Sequence, residues 1–240
     1  VVYMGDDERF EYIYKFVSKE RYIAGQSDTE HLLDDGTLYV ARFGDDGKGR
    51  WLALRHGEKY PNGALNVENG FNNQGDIAIR CRQAADIAGA SKMDRPEWIA
   101  VHTKTGEVYV TLTNNSKRGT SEVPGLNAAN PRAESVFGHI VRWRESNHDA
   151  ASTAFEWDVF ALAGDPQHPD EHKRGNIKGD AYGSPDGLWF DNSGHLWIQT
   201  DVSTSVLNKG DYARLGNNQM LVADPQSGIT QRFLTGPNGC

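Results

Sequence analysis

Apolar and polar residues alternate with a period of two along most of this chain, and glycine, asparagine and aspartate interrupt the alternation at short intervals. This pattern is typical of β-strands joined by tight turns. Two stretches show it best: residues 98–102 followed by 108–112, and residues 188–191 followed by 196–200. Each pair is predicted to form a hairpin, because the short turn of each contains a glycine that tolerates positive φ.

The two predicted hairpins belong to an internal repeat. Pro96-Glu97 at the start of the first hairpin matches Pro185-Asp186 at the start of the second, an offset of 89 residues. A second pair of predicted strands follows each hairpin: residues 138–144 with 155–163, and residues 219–224 with 229–235. Four strands, a loop and four strands again are typical of the blades of a β-propeller.

The chain begins inside this pattern. Residues 1–7 resemble the second strand of an earlier blade, and residues 10–17 and 37–54 supply its third and fourth strands. The sequence therefore predicts an all-β fold with about two and a half four-stranded blades, fewer than the four to eight that a closed propeller needs. We interpret the chain as an internal piece of a longer protein. A self-contained β-sandwich of about twelve strands is the alternative.

The predicted propeller piece divides into four segments of one domain. They are a partial blade (1–55), a helical insertion (56–95) and two blades (96–164 and 165–240). In the insertion, apolar residues recur at helical spacing between residues 76 and 88, and Gly89 follows as a C-terminal stop. We expect this helix to lie over a blade edge or to close one end of the channel. Ser27 and Glu30 fit a capping box for a second short helix.

Composition and charge exclude several kinds of partner. The 240 residues include 25 basic and 33 acidic side chains, for a net charge of -8 at pH 7. A general nucleic-acid binder needs a basic face, and so does binding to an anionic membrane surface. No apolar run approaches the roughly 18 to 20 residues of a membrane span. We therefore expect neither nucleic acid nor membrane as partner, whereas open sheet edges allow an edge-to-edge homodimer.

Two acidic residues occupy matched positions at the start of the innermost strand of each complete repeat. They are Glu97 and Asp186. Because the inner strands of successive blades converge on one channel, two carboxylates there repel each other unless a cation lies between them. Oxygen-only ligands suit Ca²⁺, Mg²⁺ or a hard iron ion. The alternative is that each carboxylate only caps its strand end.

Arg95 extends the candidate site. A residue that precedes proline favours an extended backbone, and residues i and i+2 of an extended segment face the same way. Arg95 and Glu97 are therefore predicted to point together toward the channel mouth. A guanidinium beside a metal-bound carboxylate suits the oxygens of a phosphate group, which its planar fork matches. A plain salt bridge is the alternative.

A third group of polar residues closes the second strands of the repeats. They are Asn114-Asn115, Asp6-Asp7 and Asp201. We expect these residues at the opposite rim from Glu97, where Asn114 and Asp201 are candidate ligands of a structural ion. Capping of turns by their side chains is the alternative. The cysteines Cys81 and Cys240 have no metal-ligand or disulfide spacing.

Six motifs spread over the chain are long and non-repetitive. They are residues 93–98 (MDRPEW), 112–115 (LTNN), 175–180 (GNIKGD), 183–188 (GSPDGL), 199–203 (QTDVS) and 216–220 (GNNQM). In these motifs, and over essentially its whole length, the chain resembles the PhoX-type alkaline phosphatases. The resemblance implies a six-bladed propeller that hydrolyses phosphate monoesters with a Ca²⁺ and Fe³⁺ cluster at its channel. It also implies export by the twin-arginine route, to the periplasm or out of the cell.

The family motif Arg-Pro-Glu falls on Arg95, Pro96 and Glu97. By this resemblance Glu97 is a metal ligand, Arg95 is the catalytic residue that grips the phosphoryl oxygens, and Asp186 is a second ligand. The cysteine and glutamate iron ligands that precede this motif in the family have no counterpart here. We therefore expect the chain alone to be an inactive portion of a phosphatase that acts on small phosphate esters.

Two other functions remain open. One is a calcium-dependent propeller hydrolase of the lactonase type, which binds one ion through a few Glu, Asn and Asp side chains. The other is a non-catalytic propeller that serves as an interaction platform, for which an exposed apolar patch and the absence of a metal would be typical.

Overall fold

The computed structural model describes residues 1–25 and 29–237. In chain order its strands are β1 (Val2–Gly5), β2 (Ile13–Ser18), β3 (Gly36–Phe43), β4 (Lys48–Ala53), β5 (Lys59–Tyr60), β6 (Gly63–Ala64), β7 (Pro96–Val101), β8 (Val108–Leu112), β9 (His139–Glu145), β10 (Ala154–Leu162), β11 (Lys178–Gly179), β12 (Pro185–Phe190), β13 (Leu196–Thr200), β14 (Gln219–Ala223) and β15 (Ile229–Thr235). The α-helices are α1 (Gln74–Ile79) and α2 (Cys81–Ala88). Short 3₁₀ turns cover Glu30–Leu33, Val67–Asn69, Ser146–His148, Glu171–Lys173 and Gly210–Tyr212.

Strands β7 to β10 form one four-stranded antiparallel meander and β12 to β15 form another, which β11 extends as a parallel edge strand beside β15. We call these the second and the third sheet. Both predicted hairpins are present, as β7–β8 and β12–β13. The two sheets pack against each other through their inner strands and a shared apolar core that includes Tyr109, Ile140, Leu188 and Ile198. The predicted fold class, an all-β propeller fragment with short helices, is confirmed.

Strands β1 to β4, which we call the first sheet, contain one strand more than the pattern indicated. Residues 37–54 divide into β3 and β4 at a turn where Gly47 has φ 76° and the Asp46 side chain accepts a hydrogen bond from the Lys48 amide at 3.1 Å. Strand β4 pairs with β3 on one side and with β10 of the second sheet on the other. The first two sheets therefore form one continuous sheet with the order β1-β2-β3-β4-β10-β9-β8-β7.

The predicted helix is present but is interrupted. Arg80 has φ -111° and ψ 42° and separates α1 from α2, and Gly89 with φ 75° ends α2 as expected. The helices cover a face of the first sheet instead of a blade edge or the channel. Small side chains of α2, such as Ala84, lie in one buried cluster with Tyr12 and Val40, so the helix approaches the sheet closely.

The second short helix is a 3₁₀ turn at Glu30–Leu33, whose N-cap residue Thr29 makes no side-chain capping bond. Ser27 of the expected capping box lies outside the described residues, as does Cys240. Within the part of the chain that the structure describes, no helix is long and apolar enough to span a membrane.

His139 gives the fold a specific acid sensitivity. Its imidazole is fully buried, donates through Nε2 to the Ala129 carbonyl at 2.8 Å, and has its pKa lowered to about 3, chiefly by burial. In the unfolded chain the same group titrates near 6.5. The unfolded chain therefore binds a proton that the folded chain does not, and stability present above pH ~6.5 is lost as the pH falls toward 3.

We expect His139→Gln to flatten this dependence, since glutamine can still donate to Ala129 but does not titrate. Between pH 6 and 4 the unfolding free energy of the wild type should fall more steeply, by up to about 1.4 kcal/mol per pH unit. Urea unfolding of both proteins at three pH values measures the difference. Parallel pH profiles would contradict the assignment of this loss to His139.

Candidate metal centre at the rim of the sheets

Five short segments meet at one end of the sheets, which we call the rim. They are residues 6–7, 94–97, 113–115, 184–186 and 201. Antiparallel pairing brings them together, because Pro96 at the start of β7 lies opposite Leu112 at the end of β8, and Pro185 lies opposite Thr200 in the same way. Strand β1 also ends here, where Gly5 approaches the backbone of Glu97.

This geometry corrects one expectation. Asp6-Asp7, Asn114-Asn115 and Asp201 lie at the same rim as Glu97 and Asp186, not at the opposite one. The physical reason is that the second strand of an antiparallel hairpin ends where the first begins. The sequence predicts both hairpins, and the antiparallel pairing of their strands is sufficient to place Asn114-Asn115 and Asp201 at the same rim as Glu97 and Asp186.

Glu97 and Asp186 are aimed by a bulge and a left-handed residue rather than by a regular extended strand. The residues before the two prolines, Arg95 and Ser184, have φ of 63° and 52°. The strand register then shifts between Pro96 and Ile99, and at the corresponding point after Pro185. The extended backbone predicted for Arg95 is therefore wrong. Positive φ in non-glycine residues and β-bulges are both features that concentrate at functional sites, where they redirect side chains.

Acidic side chains at the ends of four strands, β1, β7, β12 and β13, come together at the rim. Burial, the Asp186 carboxylate and a hydrogen bond to Asp7 raise the pKa of Glu97 to about 8. Burial and the charge of Asp201 raise the pKa of Asp186. The structure thus brings Glu97 and Asp186 together, as predicted, and adds Asp7 and Asp201 to them. A cluster of this kind favours a bound cation or a shared proton.

Arg95 lies beside these carboxylates. Its Nε donates to Oδ1 of Asp7 at 2.7 Å, and its Nη2 lies 3.1 Å from Oε1 of Glu97. The predicted proximity of Arg95 and Glu97 is therefore present, and Asp7 is a further partner that the sequence did not assign. The Arg95 side chain is 29% exposed, so its guanidinium is held in place and is still accessible to a ligand.

Asn114 is the rim candidate with the least structural support. It is half-buried after the end of β8, and its side chain makes no hydrogen bond to the residues that the structure describes. Asp201 is exposed and acts on the site through its charge, which raises the pKa of Asp186.

Hydrogen bonds between neighbouring strands fix the positions of the inner strands relative to each other. Thr111 of β8 donates through Oγ1 to the Asp186 carbonyl at 2.8 Å, and Thr113 donates in the same way to the Pro185 carbonyl at 3.0 Å. The matched carboxylates therefore belong to one rigid arrangement of two sheets, and their separation does not depend on a flexible loop.

The donor set at the rim fits a hard cation in its chemistry. All the ligands offered are carboxylate oxygens, and Oδ1 of Asp186 is buried without a hydrogen-bond partner among the described residues. No three histidine, cysteine, aspartate or glutamate side chains of residues 1–25 and 29–237 are close enough to enclose an ion by themselves.

The absence of a side chain at Gly5 allows β1 to pack closely on this site. A Cβ atom at Gly5 would lie 2.3 Å from the Glu97 carbonyl oxygen, so alanine would force the two backbones apart. We expect Gly5→Ala to lower the free energy of unfolding by about 1–3 kcal/mol, as overpacking does. Gly125→Ala is the matched control, because nothing lies within 4 Å of a Cβ there. Equal stability of the two variants in urea unfolding would show that β1 adjusts freely.

Comparison with known proteins places this geometry in a family. The family model described as alkaline phosphatase PhoX matches residues 1–240. A solved structure, Pseudomonas fluorescens PhoX in complex with vanadate, a transition state analogue, is 48% identical and superposes with a TM-score of 0.89. The match covers 99% of this chain and 42% of that chain, so this chain spans less than half the length of that relative. No curated protein matches the chain.

Proposed function

Since the chain belongs to the PhoX alkaline phosphatase family, we propose that the protein containing it hydrolyses small phosphate monoesters, and that the rim forms part of its active site. The observation that carries this proposal is the convergence of Glu97 and Asp186, from matched positions of two sheets, beside the guanidinium of Arg95. Carboxylate oxygens bind cations and a guanidinium binds anions. Next to each other, these groups suit a phosphate ester that is bound to a metal ion.

We assign Glu97 and Asp186 as ligands of a Ca²⁺ or Fe³⁺ ion, with Asp7 and Asp201 as further acidic groups around it. Bound metal ions supply Lewis-acid polarisation of the phosphoryl oxygens and a bound water of lowered pKa. The remaining ligands of a complete shell come from outside this chain in our proposal, so that residues 1–240 alone would hydrolyse little substrate. The oxygen-only donors from this chain suit either ion.

Arg95 has the role of binding the phosphoryl group. Phosphoryl transfer concentrates negative charge on the equatorial oxygens, and a fixed guanidinium stabilises that charge. The ion pair with Asp7 fixes the orientation of the Arg95 fork, so that less conformational entropy is lost when phosphate binds. No covalent intermediate on a side chain is needed in this scheme, because positioning and charge stabilisation provide most of the catalysis.

The decisive experiment is an assay of the protein that contains this chain, purified with its metals. We expect hydrolysis of p-nitrophenyl phosphate, calcium and iron in the elemental analysis, and loss of activity on chelation. Hydrolysis of sugar lactones without phosphatase activity would support a lactonase-type enzyme instead. Absence of both metal and hydrolysis would support an interaction platform. We also propose a periplasmic or secreted location, following the export typical of the family that this chain resembles.

A further inference from the structure

Ser184, two residues before Asp186, has a backbone conformation that its side chain disfavours. Its φ of 52° is in the left-handed region, where non-glycine residues are uncommon. Ser184 is 2% exposed and its backbone is bonded on both sides, since its amide donates to the Phe137 carbonyl at 2.8 Å and its carbonyl accepts from the Asp201 amide at 2.9 Å. Any relaxation of Ser184 would therefore move the start of β12 and with it Asp186.

Tyr212 contacts this residue from the long loop between β13 and β14. Its hydroxyl lies 2.6 Å from Oγ of Ser184 and donates to the Val136 carbonyl, also at 2.6 Å. A phenol has one proton to give, so the Ser184 hydroxyl must be the donor to Tyr212. Burial raises the pKa of Tyr212 to about 12, which keeps this proton in place at neutral pH. The result is a directed chain from Ser184 through Tyr212 to Val136.

The ring of Tyr212 also contacts the residue before Ser184. A Cβ atom at Gly183 would lie 2.7 Å from Cε1 of Tyr212, so the ring occupies the space that a side chain would need. The same ring packs on Phe137 with a centroid distance of 5.0 Å. Tyr212 therefore contacts Gly183 and Ser184 through its side chain, whereas the Phe137 carbonyl accepts a hydrogen bond from the Ser184 amide.

The preceding sheet contains a corresponding arrangement. Arg95, also left-handed, follows Asp94, which is fully buried and pairs with Arg118 of the loop between β8 and β9 at 2.8 Å. In both sheets, the loop between the second and third strands supplies a buried side chain that holds the segment before the inner-strand carboxylate. This recurrence indicates that each loop positions the segment before the carboxylate in addition to connecting two strands.

We propose that Tyr212 is a positioning residue, which sets the direction of the Asp186 carboxylate by holding Ser184 in its left-handed conformation. The inference deepens the proposed function, because it assumes that Asp186 holds the cation there, but the conformational claim about Ser184 is independent of that assumption. Tyr212 does not reach the cation or the substrate in this assignment.

The test compares Tyr212→Phe with Tyr182→Phe in the protein that contains this chain. Tyr182 is a matched control, since its hydroxyl is buried in the same core without a partner among the described residues. We expect the amides of residues 184 and 201 to exchange hydrogen at least about tenfold faster in Tyr212→Phe, and at the wild-type rate in Tyr182→Phe. Unchanged exchange in Tyr212→Phe would overturn the proposal.

A rescue experiment distinguishes a positioning role of Tyr212 from a general loss of packing in the Tyr212→Phe variant. We expect Tyr212→Phe alone to weaken Ca²⁺ binding by about tenfold or more. Glycine adopts positive φ without strain, so adding Ser184→Gly to Tyr212→Phe should restore the affinity. Calorimetry with Ca²⁺ alone measures both changes. Failure of Ser184→Gly to restore affinity would overturn the proposal. If the wild type lacks phosphatase activity, only the proposed function fails, because amide exchange still decides the role of Tyr212.

Discussion

Replacing Glu97 with glutamine is expected to remove bound metal and phosphatase activity together, with a fall in kcat/KM of about 100-fold or more. Glu97 is the carboxylate that faces Asp186 and Asp7, and it also contacts Arg95 at 3.1 Å. An amide of the same size cannot supply the negative charge that holds a hard cation against water. Elemental analysis and an aryl phosphate assay on the same preparation measure both effects.

Glu107→Gln provides the control for this variant. Glu107 is buried like Glu97 and precedes β8 of the same hairpin, but it is at the end far from the rim, where it pairs with Arg144. Its replacement is expected to reduce stability and to leave metal content unchanged. A Glu97→Gln protein that retains both metal and activity would remove Glu97 from the site.

Replacing Arg95 with lysine is expected to reduce kcat/KM for a phosphate monoester by about 100-fold, nearly as much as replacement with alanine. Lysine keeps the positive charge but cannot donate simultaneously toward Asp7 and a phosphoryl oxygen with the planar fork that Arg95 presents. Steady-state kinetics with p-nitrophenyl phosphate, together with inhibition by vanadate or inorganic phosphate, measure the loss. Metal content should change little, because Arg95 is not a ligand.

Arg42→Ala is the corresponding control, since Arg42 is exposed on β3 and forms no ion pair among the described residues. Its activity should equal that of the wild type. If Arg95→Lys were fully active, a point charge would be sufficient at this position and the role of a bidentate fork would be refuted.

The repeat could be read from the sequence because the first hairpins of the two complete sheets have strands of the same length, six and five residues, and begin with the same Pro-acid pair. Apolar and polar residues alternate within 98–102 and 108–112, and the pattern recurs about 89 residues later. It predicts two hairpins, and the structure confirms both. Matched positions in such hairpins meet in space, which is why Glu97 and Asp186 were identifiable from their spacing. The division of residues 37–54 into β3 and β4 was missed although the turn residues 44–47 (GDDG) mark it in the sequence, whereas the pairing of β4 with β10 leaves no mark in the local pattern.

The contributions of Asp7 and Tyr212 were harder to predict for different reasons. Asp7 follows a short strand, and its contact with Arg95 depends on how β1 packs against β7, which is a tertiary contact. Tyr212 belongs to a loop without periodicity, so its hydrogen bonds to Ser184 and Val136 could not be inferred. The left-handed Arg95 was missed because the general preference of residues before proline is overridden here by tertiary contacts.

The shared strand β4 limits how this chain can be dissected. Any cut between residues 55 and 96 would separate β4 from β10 and expose the backbone groups of both strands. A gene fragment that begins at residue 96 would therefore lack the strand that protects its outermost edge, even though its four strands are a complete repeat. Among the described residues, a cut after residue 164 separates no paired strands, but it exposes the apolar core that β7 to β10 share with β12 to β15.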